Sequence, residues 1–169
     1  VGHPGNGTLG HIPSVLIQRA AGIEMTNVPY RGAAPLITDL LAGHVDVGMD
    51  FMPAYLPLVT GQKLRPLAVT TSQRFALLPD VSTFDESGLP GFEAVLHYGL
   101  LAPQGTPPEI IDILSAELRK LGNDPEVQKR IRLEGGDPLS STPAEYADDI
   151  DREEKKWSKL VHQLGLKVE

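Results

Sequence analysis

The sequence feature that most constrains the fold is a regular alternation of short strand-like and helix-like stretches in the first 98 residues. Apolar positions three and four residues apart predict two amphipathic helices there, and Gly22 and Gly43 follow them, where a helix C-terminus favours glycine. Strand, helix, strand, helix, strand is typical of a parallel sheet with crossover helices. The predicted helices are about 11–21 and 34–42, and the predicted strands are about 26–30, 45–49, 64–71 and 93–102.

The chain changes character near residue 98. Residues 1–98 hold 13 charged residues, whereas residues 99–169 hold 24 in fewer positions. Three helix starts are predicted in the second stretch. Thr106 and Thr142 are each followed by Pro and, three residues on, by Glu, which is the capping-box pattern, and Asp124 precedes Pro in the same way. The sequence therefore predicts an α/β unit over 1–98 and a helical segment over 99–169.

Composition excludes several classes of function. A net charge of −7 and an aromatic content of 5% argue against nucleic acid as a partner. No apolar run approaches the roughly 18 residues of a membrane span. The absence of cysteine excludes disulfides, thiolate chemistry and zinc–cysteine sites. The histidines lack metal-ligand spacing and are predicted mostly in loops or at the surface, so neither a metal nor a cofactor is expected.

The glycines at positions 5, 7 and 10 match the spacing of the dinucleotide-binding fingerprint. That fingerprint also needs a strand before it and an acidic residue about 20 positions later. Few residues precede Gly5, and the second predicted strand ends without a carboxylate, so nucleotide binding is not favoured. Small residues still let backbone N–H groups at a helix start approach an anion, and Thr8 adds a hydroxyl donor. The alternative is an ordinary tight turn with Thr8 as the N-cap.

Asp50 follows the strand predicted at 45–49, and the carboxyl ends of strands are where open α/β sheets place ligand contacts. The alternative is an Asx-type turn cap before Pro53. The sequence has no Gly-x-Ser-x-Gly elbow, and no set of Ser, His and Asp stands out for nucleophilic catalysis. On its residues alone, the chain is an α/β domain whose small-residue loops at strand ends suit a small anion.

Motifs along essentially the whole chain point to one family. They are Gly5-x-Gly7-Thr8-x-x-His11, VPYRGAAP (28–35), DLLAGHVDV (39–47), GQKLRPLAVT (61–70), LPDVSTF (78–84), GLPGF (88–92), APQGTP (102–107), Trp157 and Gly165-Leu166-Lys167. In this order the motifs resemble the substrate-binding proteins of tripartite tricarboxylate transporters, the Bug-type extracytoplasmic solute receptors. The sequence departs from the family at His97, where Trp is usual, and at Phe51, where a polar residue commonly follows the aspartate.

The resemblance implies a type II periplasmic-binding-protein-like α/β fold, in which two lobes close over a ligand. Family members are longer than 169 residues. Residues 1–98 are therefore expected to form the complete second lobe, and residues 99–169 the part that returns to a first, partial lobe. A signal peptide is expected upstream, and the shortened chain is expected to self-associate.

The resemblance also implies transport rather than catalysis. Such a receptor is periplasmic, captures a small carboxylate or related metabolite, and delivers it to membrane permease subunits. Two alternatives stay open, namely an effector-sensing domain of the same fold in a regulator, and an enzyme that acts on a small molecule.

Carried over to this sequence, the ligand-binding residues are expected just beyond strand ends, where backbone N–H groups and a hydroxyl would meet a carboxylate. Tyr30 either closes one side of the pocket or packs near the hinge, and Arg31 is expected to be a solvated surface charge. Asp50 would suit an amino or hydroxyl group of the ligand. The expected residues are Gly5, Asn6, Gly7, Thr8, Tyr30, Gly32, Ala33 and Asp50.

Overall fold

The structure, a computed structural model, describes residues 1–164, without the side chains of residues 160, 163 and 164. Contacts between Cα atoms divide these residues into an N-terminal unit, Val1–Leu96, and a C-terminal unit that begins at His97. The assignment of the two units to receptor lobes stays a prediction. The elements of the N-terminal unit are β1 (Gly2–His3), α1 (His11–Ala21), β2 (Val28–Pro29), α2 (Ala33–Ala42) and α3 (Met52–Thr60), and those of the C-terminal unit are α4 (Pro108–Asn123), α5 (Pro125–Leu133) and α6 (Pro143–Leu164).

The sheet of the N-terminal unit is short and parallel, with β1 in the middle. Gly2 pairs with β2 on one side and forms a single bridge with Gly48 on the other. The Gly2 N–H donates to the Val47 carbonyl at 2.8 Å, and the Met49 N–H donates to the Gly2 carbonyl at 2.9 Å. The predicted parallel sheet is confirmed, although the run at 45–49 contributes one bridge rather than a longer strand.

Helix α2 packs its apolar face on this sheet. Leu36 is fully buried at the centre of the apolar cluster. A Cβ at Gly2 would overlap Leu36 Cδ1, and a Cβ at Gly48 would lie 2.6 Å from Leu40 Cδ1. Glycine at these two positions therefore lets α2 approach the strand backbone directly. The helices predicted at 11–21 and 34–42 are both confirmed.

Helix α3 corrects the sequence prediction, which places no helix after Asp50. Pro53 and Pro57 disfavour a helix interior when they are read from the sequence. Pro53 lies in the first turn, where an N–H has no intrahelical acceptor, whereas Pro57 lies inside the helix. Tyr55 and Leu56 between them are buried, so tertiary packing outweighs the unfavourable propensity of this segment.

The strand predicted at 64–71 is wrong. The structure has only a bridge there, between Val69 and Thr83. Pro66 lacks an N–H and cannot extend a hydrogen-bond ladder toward the start of the run. The segment is therefore irregular chain with a single point of sheet pairing.

The strand predicted at 93–102 is also wrong. The Ala94 N–H donates to the Thr70 carbonyl at 2.9 Å, but no strand pairs with the run in the part of the chain that the structure describes. Leu100 and Leu101 are 65% and 75% exposed. The apolar side chains of Leu100 and Leu101, on which the strand prediction depended, thus face solvent.

Helices α5 and α6 begin as the sequence predicts. The Thr142 N–H donates to the Glu145 carboxylate at 2.8 Å, and the Glu145 N–H donates to Thr142 Oγ1 at 3.2 Å. This reciprocal pair is a capping box. At α5, the Asp124 carboxylate accepts from the N–H groups of Glu126 and Val127 at 2.8 and 3.1 Å.

Helix α4 begins one residue later than the capping pattern predicts. Its N-cap is Pro107, and its first residue is Pro108. The Thr106 hydroxyl donates to the Pro103 carbonyl at 2.8 Å instead of capping the helix. The second of two consecutive prolines takes the first helical position, which favours Pro, and this displaces Thr106 from the cap.

Replacing Thr142 with alanine should destabilise the chain by about 1 kcal/mol, the usual cost of losing an N-cap side chain. Thr106→Ala is the matched control, because Thr106 also precedes a helix but caps nothing. Urea unfolding followed by circular dichroism measures both variants. An equal loss of unfolding free energy in the two would contradict the role of the Thr142 cap.

Candidate functional site

The glycine loop, residues 5–10, connects β1 to α1. Gly5 and Gly7 have φ angles of 150° and 74°, which residues with side chains rarely adopt. A Cβ at Gly10 would overlap the Met49 carbonyl oxygen and lie 2.5 Å from Pro4 Cδ. Backbone conformation and close approach therefore account for all three glycines, without the dinucleotide fingerprint.

Thr8 closes this loop from within. Its hydroxyl donates to the Gly5 carbonyl at 2.7 Å, and its carbonyl accepts from the N–H groups of His11 and Ile12, each at 3.0 Å. Gly10 immediately precedes α1, but Thr8 Oγ1 also accepts from the His11 N–H at 3.4 Å, so Thr8 caps the turn that leads into the helix, as the alternative predicts. The hydroxyl that was expected to meet a ligand donates inside the loop in this structure.

Two histidines hold the Gly5-Asn6-Gly7 segment at both ends. His3 Nδ1 lies 3.0 Å from the Gly5 carbonyl oxygen, which can only accept, so this nitrogen carries the proton. The Gly7 N–H donates to His11 Nδ1 at 3.1 Å, so that nitrogen is bare. The two rings stack with their centroids 4.5 Å apart. Sequence reasoning misses this pair, because it treats each histidine as a loop or surface residue; the one signal is that His3 and His11 flank the loop.

Both imidazoles are neutral at neutral pH. Burial lowers the pKa of His3, and His11 and the Val1 amino group lower it further, while the bond to Gly5 opposes them. Burial also lowers the pKa of His11. His3 is fully buried, and its Nε2 has no hydrogen-bond partner among the described residues. A second proton on His3 would therefore have no acceptor.

The second predicted loop, residues 30–33, lies beside the glycine loop. The Tyr30 N–H donates to the His3 carbonyl at 2.9 Å, and the Gly32 N–H donates to the Pro4 carbonyl at 3.2 Å. Gly32 is the N-cap of α2 with a φ angle of 96°, and α2 begins at Ala33. The structure thus brings the two loops together at the ends of β1 and β2.

The Tyr30 side chain is engaged by α2. Its hydroxyl donates to Asp39 Oδ2 at 2.8 Å, and His44 Nδ1 lies 3.1 Å from Asp39 Oδ1. The bond from Tyr30 is the main reason that the pKa of the Asp39 carboxyl is lowered, and the bond from His44 adds to it. The Tyr30 ring lies against Gly2. These contacts favour a packing role, and a contact between Tyr30 and a ligand stays a prediction.

Asp50 lies two residues after the bridge at Gly48. It directly follows Met49, whose carbonyl approaches Gly10 of the glycine loop. Its Oδ1 accepts from the Phe51 N–H and its Oδ2 from the Tyr55 hydroxyl, both at 2.8 Å. Burial, and then the bond to Asp50, raise the pKa of Tyr55, so the phenol keeps its proton and donates. Asp50 therefore holds the start of α3, and its remaining lone pairs are what a ligand could use.

Backbone donors without an acceptor remain at both loops. Within residues 1–164, the N–H groups of Asn6 and Leu9 have no hydrogen-bond partner, and α2 starts without a side-chain cap. Uncapped N–H groups at a helix start favour an anion. Main-chain donors of both loops are therefore available to an anion.

Other features of the described residues lie away from these loops. A depression of about 430 Å³ lies at the C-terminal end of α1 and contains none of the predicted site residues; it is lined by Val15, Gln18, Arg19, Gly22, Ile23, Glu24 and Asn27. Nowhere in residues 1–164 do three His, Asp or Glu side chains cluster closely enough to hold a metal ion. No helix in this part of the chain is long and apolar enough to cross a membrane.

Comparison with known proteins decides the family. The family model described as "Tripartite tricarboxylate transporter family receptor" matches residues 1–166. The chain belongs to this family. The "UPF0065 protein in tcbD-tcbE intergenic region" of Pseudomonas sp. (strain P51) is 36% identical over 163 residues, which are 96% of this chain and 48% of that protein. This family member spans about half the length of most curated relatives it matches, and 97% of the length of one of them.

Solved structures agree with the family. "R. palustris Rpa4515 with adipate" has a TM-score of 0.91 at 33% identity, covering 98% of this chain and 55% of that one. The periplasmic binding protein BugD has a TM-score of 0.86 at 30% identity, covering 99% of this chain and 57% of that one. The predicted Bug-type family and the predicted α/β fold, part of a two-lobed periplasmic-binding-protein architecture, are confirmed.

Replacing Tyr30 with phenylalanine should raise the pKa of the Asp39 carboxyl, because the hydroxyl that mainly lowers it is lost. The folded-state pKa of Asp39 lies below the unfolded value. Its contribution to stability is therefore present above the ordinary aspartate range and is lost as pH falls through the lowered pKa. NMR titration of the side-chain carboxyl carbons measures the shift. Tyr98→Phe, at a residue 87% exposed, is the control; an Asp39 pKa that is the same in both variants would refute the assignment.

Proposed function

We propose that this chain is the ligand-binding part of a receptor for small dicarboxylates. The observation that carries the proposal is that the glycine loop, the loop at 30–33 and the Met49–Asp50 segment converge at the carboxyl ends of the parallel strands. Ligands of open α/β sheets bind beyond these strand ends. The proposal is supported by a relative of the same fold, 33% identical, that was solved with adipate.

Contact rather than net charge must hold such a ligand. The chain carries a formal charge of −7, which repels a dianion, but this repulsion is screened beyond about 10 Å at 0.1 M salt. At contact, the free Asn6 N–H and the uncapped start of α2 can donate to a carboxylate. Asp50 is suited to a hydroxyl or amino group elsewhere on the ligand.

We further infer that the receptor acts in the periplasm, hands its ligand to membrane permease subunits and releases it chemically unchanged. The family description, a transporter receptor, supports this inference, as does the likeness to the periplasmic binding protein BugD. The glycine loop and the loop at 30–33 offer main-chain donors to an anion, which fits capture and release.

Calorimetric titration of the chain with adipate should show binding, whereas hexane-1,6-diamine, a chain of the same length with cationic ends, should not bind. Thr8→Val should weaken adipate binding roughly 2- to 10-fold, because the lost hydroxyl bond to Gly5 is a neutral hydrogen bond that keeps the loop closed. The matched control is Thr38→Val, at an exposed threonine of α2 whose hydroxyl bonds only its own helix.

Two results would count against the dicarboxylate proposal. The first is that adipate does not bind, or that it binds no more tightly than the diamine. The second is equal affinity of Thr8→Val and Thr38→Val for adipate, which would place the anion away from the glycine loop. Recovery of altered adipate after long incubation would refute release without turnover.

We also propose that the apolar surface of the C-terminal unit is covered by another polypeptide. For the 169-residue chain, this polypeptide is a second copy of the same chain. Tyr98, Leu100 and Leu101 are 87%, 65% and 75% exposed, and α4 leaves Ile113 and Leu121 60% and 54% exposed. Monomers rarely leave so much large apolar side chain in water. The curated relatives, which are mostly about twice as long, have additional chain that could cover it.

Sedimentation velocity should therefore show concentration-dependent association of the 169-residue chain. Replacing Leu100 and Leu101 with serine should shift it toward monomer, because association is driven by apolar burial. Leu67→Ser, at a residue 63% exposed in the N-terminal unit, is the control. A strictly monomeric wild-type chain at all concentrations would contradict the proposal.

A further inference from the structure

We propose that His3 and His11 are positioning residues that determine which backbone donor the glycine loop offers to a carboxylate, and that protonation of His11 withdraws this donor. The proposal rests on the carboxylate-binding function proposed above for the loop. It assigns roles to two side chains that need not touch the ligand themselves.

The two imidazoles, together with the Thr8 hydroxyl on the Gly5 carbonyl, orient the peptide units of the loop. A trans peptide unit sends its C=O and its N–H to opposite sides, and the described chain has no cis peptide bond. The Gly5 carbonyl is held toward His3 Nδ1, so the Asn6 N–H of the same unit points away from His3. The Gly7 N–H is held toward His11 Nδ1, so it cannot also serve a ligand.

Within the Gly5-Asn6-Gly7 segment, Asn6 is therefore the residue that can donate to a ligand. It is exposed, and its N–H has no partner in residues 1–164. The two donors expected from the sequence, the Gly7 N–H and the Thr8 hydroxyl, are both used inside the loop. The histidines make this choice because they hold opposite tautomers, one donating through Nδ1 and the other accepting through it.

Protonation of His11 at Nδ1 would turn the acceptor of the Gly7 N–H into a second donor. The Gly7 peptide would then lose its anchor. The new cation would also lie against the His3 ring, whose centroid is 4.5 Å away and whose Nε2 has no acceptor. Burial already lowers the pKa of His11, so the arrangement is intact at neutral pH and fails below the ordinary histidine range of about 6.5.

No neighbouring carboxylate offsets this effect. The charged group that acts on His3 besides His11 is the Val1 amino group, which also disfavours a cation. Asp50, which follows the bridge at Gly48, has its two oxygens on the Phe51 N–H and the Tyr55 hydroxyl. No Asp or Glu of the described residues hydrogen-bonds to either ring.

The test compares two substitutions at His11. His11→Asn can keep an acceptor near the Nδ1 position but cannot titrate, whereas His11→Leu removes the acceptor. With adipate as the probe at pH 7.5, we expect His11→Asn to bind within about twofold of wild type and His11→Leu to bind roughly 2- to 10-fold more weakly, the range for one neutral hydrogen bond. Between pH 7.5 and 5.5, wild type should lose more affinity than His11→Asn, and protonation of adipate itself affects both equally.

The amide resonance of Gly7 tests the same proposal without a ligand. In the wild-type chain it should shift in step with titration of His11 and move in His11→Leu, whereas in His11→Asn it should not follow pH through this range. A Gly7 amide that ignores both pH and His11→Leu would overturn the positioning role, as would equal pH dependence of adipate binding in wild type and His11→Asn. If no carboxylate binds at any pH while the Gly7 amide behaves as expected, the proposed function fails and the positioning role stands.

Discussion

The candidate site depends on the backbone ladder around Gly2. Its N–H and carbonyl bond to Val47 and Met49 on one side. On the other side, the carbonyls of Val1 and His3 accept from the N–H groups of Val28 and Tyr30. Strands this short are marginal by themselves. They hold because Gly2 has no side chain, so that Leu36 of α2 packs directly on the strand backbone and is fully buried there. The two residues of β1 thereby fix the positions of the glycine loop, the loop at 30–33 and the Met49–Asp50 segment relative to one another.

The two residues of β1 serve opposite faces. Alternation along a strand sends Gly2 to the side of α2 and His3 to the side of α1. The first face is apolar, whereas the second buries an imidazole that has one nitrogen without a partner. An unsatisfied buried polar atom costs about 1–3 kcal/mol, so an apolar residue at position 3 would favour stability. A donor at position 3 adds a second side-chain bond to the Gly5 carbonyl, beside the one from the Thr8 hydroxyl, and this bond offsets part of the cost.

How far sequence reasoning reached depended on whether local chemistry or long-range contact decides each feature. The helices around Leu36 and the cap at Thr142 follow from spacing and residue type within a few positions, and both were predictable. Helix α3 contains Pro57, and only the burial of its neighbours in tertiary contacts offsets that proline. The histidine pair could not be predicted because it also depends on a tertiary contact. A strand and a helix bring His3 and His11 together, and no periodic pattern in the sequence predicts that their rings stack.

Pro4 joins the parts of the candidate site. Its carbonyl accepts from the Gly32 N–H at 3.2 Å, and its ring approaches Gly10, which in turn packs on the Met49 carbonyl just before Asp50. Proline restricts φ to a narrow range, so this junction has little freedom to shift. Loops that are already ordered before binding lose less conformational entropy when a ligand arrives. A chain of net charge −7 does not attract an anion over long distances. Affinity for an anion must therefore come from main-chain donors that these loops already hold in place.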